Sequence, residues 1–86
     1  MMTQHSNIAT KARALAKRLD ALACEDEFDM RQYVNDFERL RDEDNQARSI
    51  GTPAALSAES RGHLDAAIWY AKGDSDKAIT WLFQVR

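Results

Sequence analysis

The chain has a single cysteine, a single proline, three glycines and only two histidines in 86 residues. Each scarcity excludes something. With Cys24 alone, no disulfide can form within the chain, and a domain this small must then be held by its own core, a metal or another chain. The histidines, His5 and His63, stand far apart, and neither a Cys-x-x-Cys nor a helical histidine pair is present to gather a metal. Gly-rich phosphate loops and nucleophile elbows are also missing. The expectation is a protein with no catalytic, cofactor-binding or metal-binding residues. No apolar run approaches the length of a bilayer, and Met1-Met2-Thr3-Gln4-His5 lacks the basic start and apolar stretch of a secretory signal. No membrane partner is expected, and the location read from these features is the cytoplasm, where an unpaired cysteine stays reduced.

What is present is charge, unevenly spread. The net charge is −2, but residues 1–19 carry Lys11, Arg13, Lys17 and Arg18 with no acid. Residues 20–44 carry ten acids, with runs at Glu25–Glu27 and Asp42–Asp44, against Arg31, Arg39 and Arg41. A basic arm beside an acidic segment invites pairing between them, and Lys17 and Arg18 are expected nearest the acids of the second helix.

The apolar pattern is helical throughout. Ile8, Ala12, Leu15, Leu19 and Leu22 recur at spacings of four and three, starting from Ser6 or Asn7 as N-cap. Ala9, Ala14, Ala16, Ala21 and Ala23 fill the same stretch, favouring helix and close helix approach. This predicts a helix near 7–24, preceded by a disordered stretch at 1–6. A second helix near 30–48 is signalled by Asp29 as cap, Gln32 completing a capping box, and Phe28 stapling onto Tyr33. Met30, Tyr33, Val34, Phe37 and Leu40 form its apolar face, and Arg39, Arg41, Asp42, Glu43 and Asp44 are assigned to water. Ala47 and Ile50 can prolong the face until Gly51 stops the helix.

Gly51-Thr52-Pro53 divides this front half from two shorter helices near 57–72 and 75–85. Thr52 or Ser57 caps the first of them, whose face is Leu64, Ala67, Ile68 and Ala71, widened by Trp69 and Tyr70. Gly62 weakens its start, which points to a close packing partner or a late start. After Gly73, Asp74 or Ser75 begins a last helix carrying Ala78, Ile79, Trp81, Leu82, Phe83 and Val85, apolar nearly all round. Such a helix either sits centrally or offers a side to another chain. The fold class expected is therefore all-α, one domain over 1–86, a compact bundle of about four helices. Its core is assigned to Leu15, Leu19, Leu22, Tyr33, Phe37, Leu40, Leu64, Ile68, Ile79 and Leu82.

The stretch Ile68-Trp69-Tyr70-Ala71-Lys72-Gly73-Asp74-Ser75-Asp76-Lys77-Ala78-Ile79-Thr80-Trp81-Leu82 resembles the middle of a tetratricopeptide repeat. Trp69, Gly73, Ala78 and Leu82 occupy that family's aromatic, turn, small and large apolar places. Gly62 and Asp65 depart from its aromatic and leucine, and no second copy occurs, whereas such arrays need about three. The resemblance implies a helix–turn–helix and a protein-binding role.

Three function classes follow. The leading one is a non-enzymatic regulatory or inhibitory protein docking a helical surface onto another protein, in the manner of the antiactivators, immunity proteins and anti-CRISPR inhibitors of bacteria and phages. Its contact residues are assigned to Trp81 and Phe83 first, with Trp69 and Tyr70 behind them, because one hairpin cannot hide every large residue near Val85. A homodimer through the same surface is expected. The second class is a DNA-binding regulator using the basic first helix, disfavoured because no aromatic is interleaved with the basic residues and ten acids follow. The third is a small enzyme in a dimer interface around His63. The acids beside Cys24 make that thiol a poor nucleophile.

Overall fold

Four α-helices form among residues 8–86, the part of the chain that the computed structural model describes. They are α1 (Ile8–Leu22), α2 (Val34–Ile50), α3 (Ala58–Ala71) and α4 (Ser75–Phe83), with a 3-10 turn at Met30–Tyr33 leading into α2 and no strand among the described residues. The all-α bundle read from the periodicity is the observed class. The expected caps Ser6 and Asn7, and the start assigned to 1–6, lie outside the described residues.

Each helix begins and ends where its local chemistry directs. Asp29 accepts a hydrogen bond from the Arg31 N–H at 3.0 Å, and Phe28 stacks on Tyr33 with centroids 5.9 Å apart. The cap bond goes to Arg31 rather than to the expected box partner Gln32, because the first turn is wound as 3-10 and the α-helix proper starts at Val34. At its other end α2 runs on to Ile50. Gly51 then adopts φ 70°, Thr52 N donates to the Ala47 carbonyl at 2.9 Å and Gly51 N to that of Arg48 at 3.2 Å. Only a residue tolerant of the left-handed region closes a helix this way. Ser57, not Thr52, caps α3, its Oγ accepting from Ser60 N at 3.1 Å. Asp74 caps α4, accepting from Lys77 N at 3.1 Å.

The most apolar helix packs between two others. α4 packs most extensively on α3 and then on α1, while α2 closes mainly on α3. Ala78, Ile79, Leu82 and Val85 are buried, so Val85 is core rather than part of an outer surface. The C-terminal turn is pinned from two sides: Arg13 Nη1 donates to the Val85 carbonyl at 3.0 Å, and the Ser60 hydroxyl both donates to the Arg86 carbonyl and accepts from Arg86 N.

The expected core is shifted on α1. Ile8, Ala9, Ala12, Ala16 and Leu19 are buried, whereas Leu15 and Leu22 are half-buried, as is Tyr33 at the start of α2. Ala9 and Ala16 join Ile8, Ala12 and Leu19 on the buried face in place of Leu15 and Leu22, because a straight helix drifts off a seam of alternating four and three. Phe37, Leu40, Leu64, Ile68, Ile79 and Leu82 are buried as assigned.

The largest departure is Asp44. Assigned to water, it is fully buried. Its carboxylate accepts from Arg48 Nε at 2.6 Å, from Arg61 Nη1 at 2.7 Å and from the Leu56 N–H at 2.6 Å. Arg48 Nη2 in turn donates to the Leu56 carbonyl at 2.8 Å, so one anion ties α2, the connection to α3, and α3 itself. Burial by itself would raise the Asp44 pKa, but the bonds from Arg48, Leu56 and Arg61 outweigh it and hold the carboxyl below the ordinary carboxylate range.

Two outcomes follow for stability. Leu19→Ala and Phe37→Ala should each cost about 2–5 kcal/mol in urea unfolding, and Leu15→Ala, at a half-buried position, distinctly less than Leu19→Ala. For Asp44, a folded pKa below the unfolded value of about 3.9 gives stability that is present above that pH and lost as pH falls through the folded value. Asp44→Asn should therefore lose about 3 kcal/mol at neutral pH, the lower end for a broken buried pair because the guanidiniums can rehydrate. Its urea midpoint should also decline less steeply than the wild type's below pH ~4.

Candidate functional site

The inner stripe of α3 consists of Ser60, Leu64, Ala67, Ile68 and Ala71, all buried. What this leaves outside is a stripe of Ala58, Gly62, Asp65, Trp69, Lys72 and Gly73, all exposed. Trp69 is 75% exposed, the most open large apolar residue among the described residues. Five residues of the α3–α4 turn, Trp69, Tyr70, Lys72, Gly73 and Asp74, line an open cleft of ≈ 350 Å³. The turn is held by Gly73 N and Asp74 N, which both donate to the Tyr70 carbonyl, at 2.9 and 2.6 Å. Tyr70 is half-buried, and Lys77 Nζ lies over its ring at 5.3 Å from the centroid, a cation–π contact that fixes one wall of the cleft.

The four residues assigned to protein contact thus divide. Trp69 faces outward, while Tyr70, Trp81 and Phe83 are partly buried and lean on the core. Trp81 also meets His63, with ring centroids 5.2 Å apart and planes tilted by 34°. Of the four, Trp69 is thus the one left open, and Trp81 and Phe83 are partly used inside the chain. The sequence pattern ranked α4 first because it is the more apolar helix, which is also why it is the more enclosed.

Gly62 has neither explanation offered by the sequence. α3 begins at Ala58, four residues earlier, and a Cβ built on Gly62 would meet nothing within 4 Å. A second feature was not anticipated at all. Ile50, placed on the continuing apolar face of α2, is 63% exposed and lines a groove of ≈ 430 Å³ with Ile8, Ala47, Ala54 and the charged rim of Arg39, Asp42 and Glu43.

The charged residues are distributed differently from the expectation. Lys11, not Lys17 or Arg18, reaches the second helix, its Nζ 2.7 Å from Glu43 Oε1. Lys17 and Arg18 are exposed, and among the described residues neither takes part in an ion pair, because both project from the side of α1 away from α2 and α4. In the turn after α1, Glu25–Glu27 are exposed together with Cys24. Asp29 is gripped by Arg31 through Nε and Nη2, both at 3.1 Å, and these bonds hold its carboxyl below the ordinary range. No group of three or more His, Cys, Asp or Glu side chains among the described residues is arranged to hold a metal ion. No helix among them is long and apolar enough to cross a membrane.

No family model, curated protein or solved structure matches the chain. The tetratricopeptide-like positions do fall on a helical hairpin: Gly73 lies in the turn, Ala78 and Leu82 are buried, and Trp69 faces out.

The division of the two tryptophans is checked by stability alone. Trp69→Ala should leave the unfolding free energy within about 0.5 kcal/mol of wild type, whereas Trp81→Ala should cost more than about 1 kcal/mol.

Proposed function

We propose that this chain is a non-enzymatic regulatory or inhibitory protein of the cytoplasm that docks the outward face of α3 and the α3–α4 turn onto another protein. The observation that carries this reading is Trp69. An indole left three-quarters in water on a rigid helix gains free energy from any partner that covers it, and buried tryptophans are the commonest interface anchors. The cleft between Trp69 and Asp74 gives a partner side chain somewhere to enter beside that anchor. The chain's other polar devices are used internally, Asp44 with its two arginines in tying helices together and Ser60 in holding the C-terminal turn.

The basic first helix gives weaker support to DNA binding. Lys11 is engaged by Glu43 and Arg13 by a backbone carbonyl, so two adjacent cations, Lys17 and Arg18, remain where several spaced phosphate contacts would be needed.

Affinity capture from the source cell, comparing wild type with Trp69→Ala, tests the reading. A protein retained by wild type and weakened at least tenfold by Trp69→Ala, a loss of about 1.4 kcal/mol or more, is the expected result. Equal retention by both forms would contradict it. Recovery of DNA with a steep loss on adding salt would favour the regulator instead.

A further inference from the structure

We propose that His63 and Trp81 form a proton-dependent clasp across the open end of the α3–α4 hairpin, holding the two helices together more strongly as the surroundings turn mildly acidic. The hairpin is fastened at both ends. At the closed end, Gly73 and Asp74 donate to the Tyr70 carbonyl. His63 stands eight residues before the end of α3, about 12 Å back from that turn. Two contacts fasten the helices there. The Ser60 hydroxyl is bonded to the backbone of Arg86, and His63 meets Trp81 with ring centroids 5.2 Å apart and planes tilted by 34°. A hydroxyl and a backbone amide keep the same charge across the physiological pH range, whereas an imidazole does not.

Among the described residues His63 has no ion pair and no side-chain hydrogen bond, so the ring contact is what its proton acts on. A neutral imidazole gives the indole a weak aromatic contact. An imidazolium brings a cation within the ~6 Å at which an indole, the strongest of the aromatic rings in this respect, attracts positive charge. The core sets the separation of the two rings: both are half-buried, and Leu64 and Leu82, the residues that follow them, are fully buried. Unfolding separates the pair. Proton uptake by His63 therefore favours the folded state, with stability gained as pH falls through the histidine range and lost as pH rises through it. The clasp operates whether or not the outer face of α3 meets a partner.

Fixed charges near the pair bear on the same proton. On α3, Glu59 stands one turn before His63 and favours the proton, while Arg61 and Asp65 are paired with each other, and Arg61 also with Asp44 of α2. At the C-terminal turn, Arg86 and the Arg13 that α1 extends to the Val85 carbonyl oppose it. On α4, Lys77 stands one turn before Trp81, its Nζ over the Tyr70 ring. All of these keep their charge between about pH 8 and about pH 5.5, so they act alike with and without the indole.

Urea unfolding of the full chain between about pH 8 and about pH 5.5 tests the clasp through a cycle of His63→Gln, Trp81→Leu and the double variant. On acidification, the gain in folding equilibrium constant of wild type over His63→Gln should exceed that of Trp81→Leu over the double variant by about two- to fivefold, the size of a cation–π contact open to water. Equal gains in the two pairs overturn the proposal. A second reading does not depend on the fold tolerating a change at Trp81: in Trp69→Phe, Trp81 is the sole indole. Imidazolium in contact with an indole quenches its fluorescence, so emission from the folded Trp69→Phe chain should drop as pH falls through the histidine range, and adding His63→Gln should abolish the drop. Emission that stays flat across that range, or drops equally without His63, overturns the proposal.

Discussion

A carboxylate with no exposed surface sets the geometry of the back half of this protein. Asp44 accepts three hydrogen bonds, from a guanidinium on its own helix, a guanidinium on α3 and the backbone N–H of Leu56 in the connection between them. An ionised group is tolerated in such a place only when it is fully paired, so the three donors must come together or the fold must give way. The position of α3 against α2 is therefore fixed by directional bonds as well as by burial. Removing one partner of such a network is costly because it leaves the remaining charge buried and unpaired.

The second constraint is size. A chain this short cannot enclose four helices, and it places the most apolar one, α4, between α1 and α3. Alanines make that possible: Ala12 and Ala16 on α1, Ala67 and Ala71 on α3 and Ala78 on α4 are buried where larger residues would hold the helices apart. With its inner stripe against α4 and one flank tied to Asp44, α3 has its opposite side left over. That leftover side carries Trp69.

Much of this was legible in the sequence, and the parts that were not share a cause. Helix number, the caps at Asp29 and Asp74, the stop at Gly51 and the aromatic staple of Phe28 on Tyr33 are local events, decided by residues within a few positions of one another. Burial of Phe37, Leu64, Ile68 and Leu82 follows from periodicity. Asp44 was misplaced because its partners lie 4, 12 and 17 residues away and look like ordinary surface charge in the sequence. That Trp69 stays open while Trp81 is half-buried depends on which helices pack against each other, which periodicity alone does not state. At Gly62 the sequence points to a close packing partner or a late helix start, whereas α3 starts at Ala58 and a Cβ there would meet nothing within 4 Å.

The functional reading turns on one side chain being left open by a fold that is otherwise tightly tied. With two tryptophans in the chain, Trp81→Phe leaves Trp69 as the sole indole reporter. Its fluorescence, with acrylamide quenching, reads the exposure of Trp69 directly. The account predicts red-shifted, readily quenched emission at low protein concentration, with a blue shift and protection as a partner or second copy covers the face. Blue-shifted, protected emission at every concentration would contradict it, because Trp69 would then be covered by its own chain and α3 would have no open face to offer.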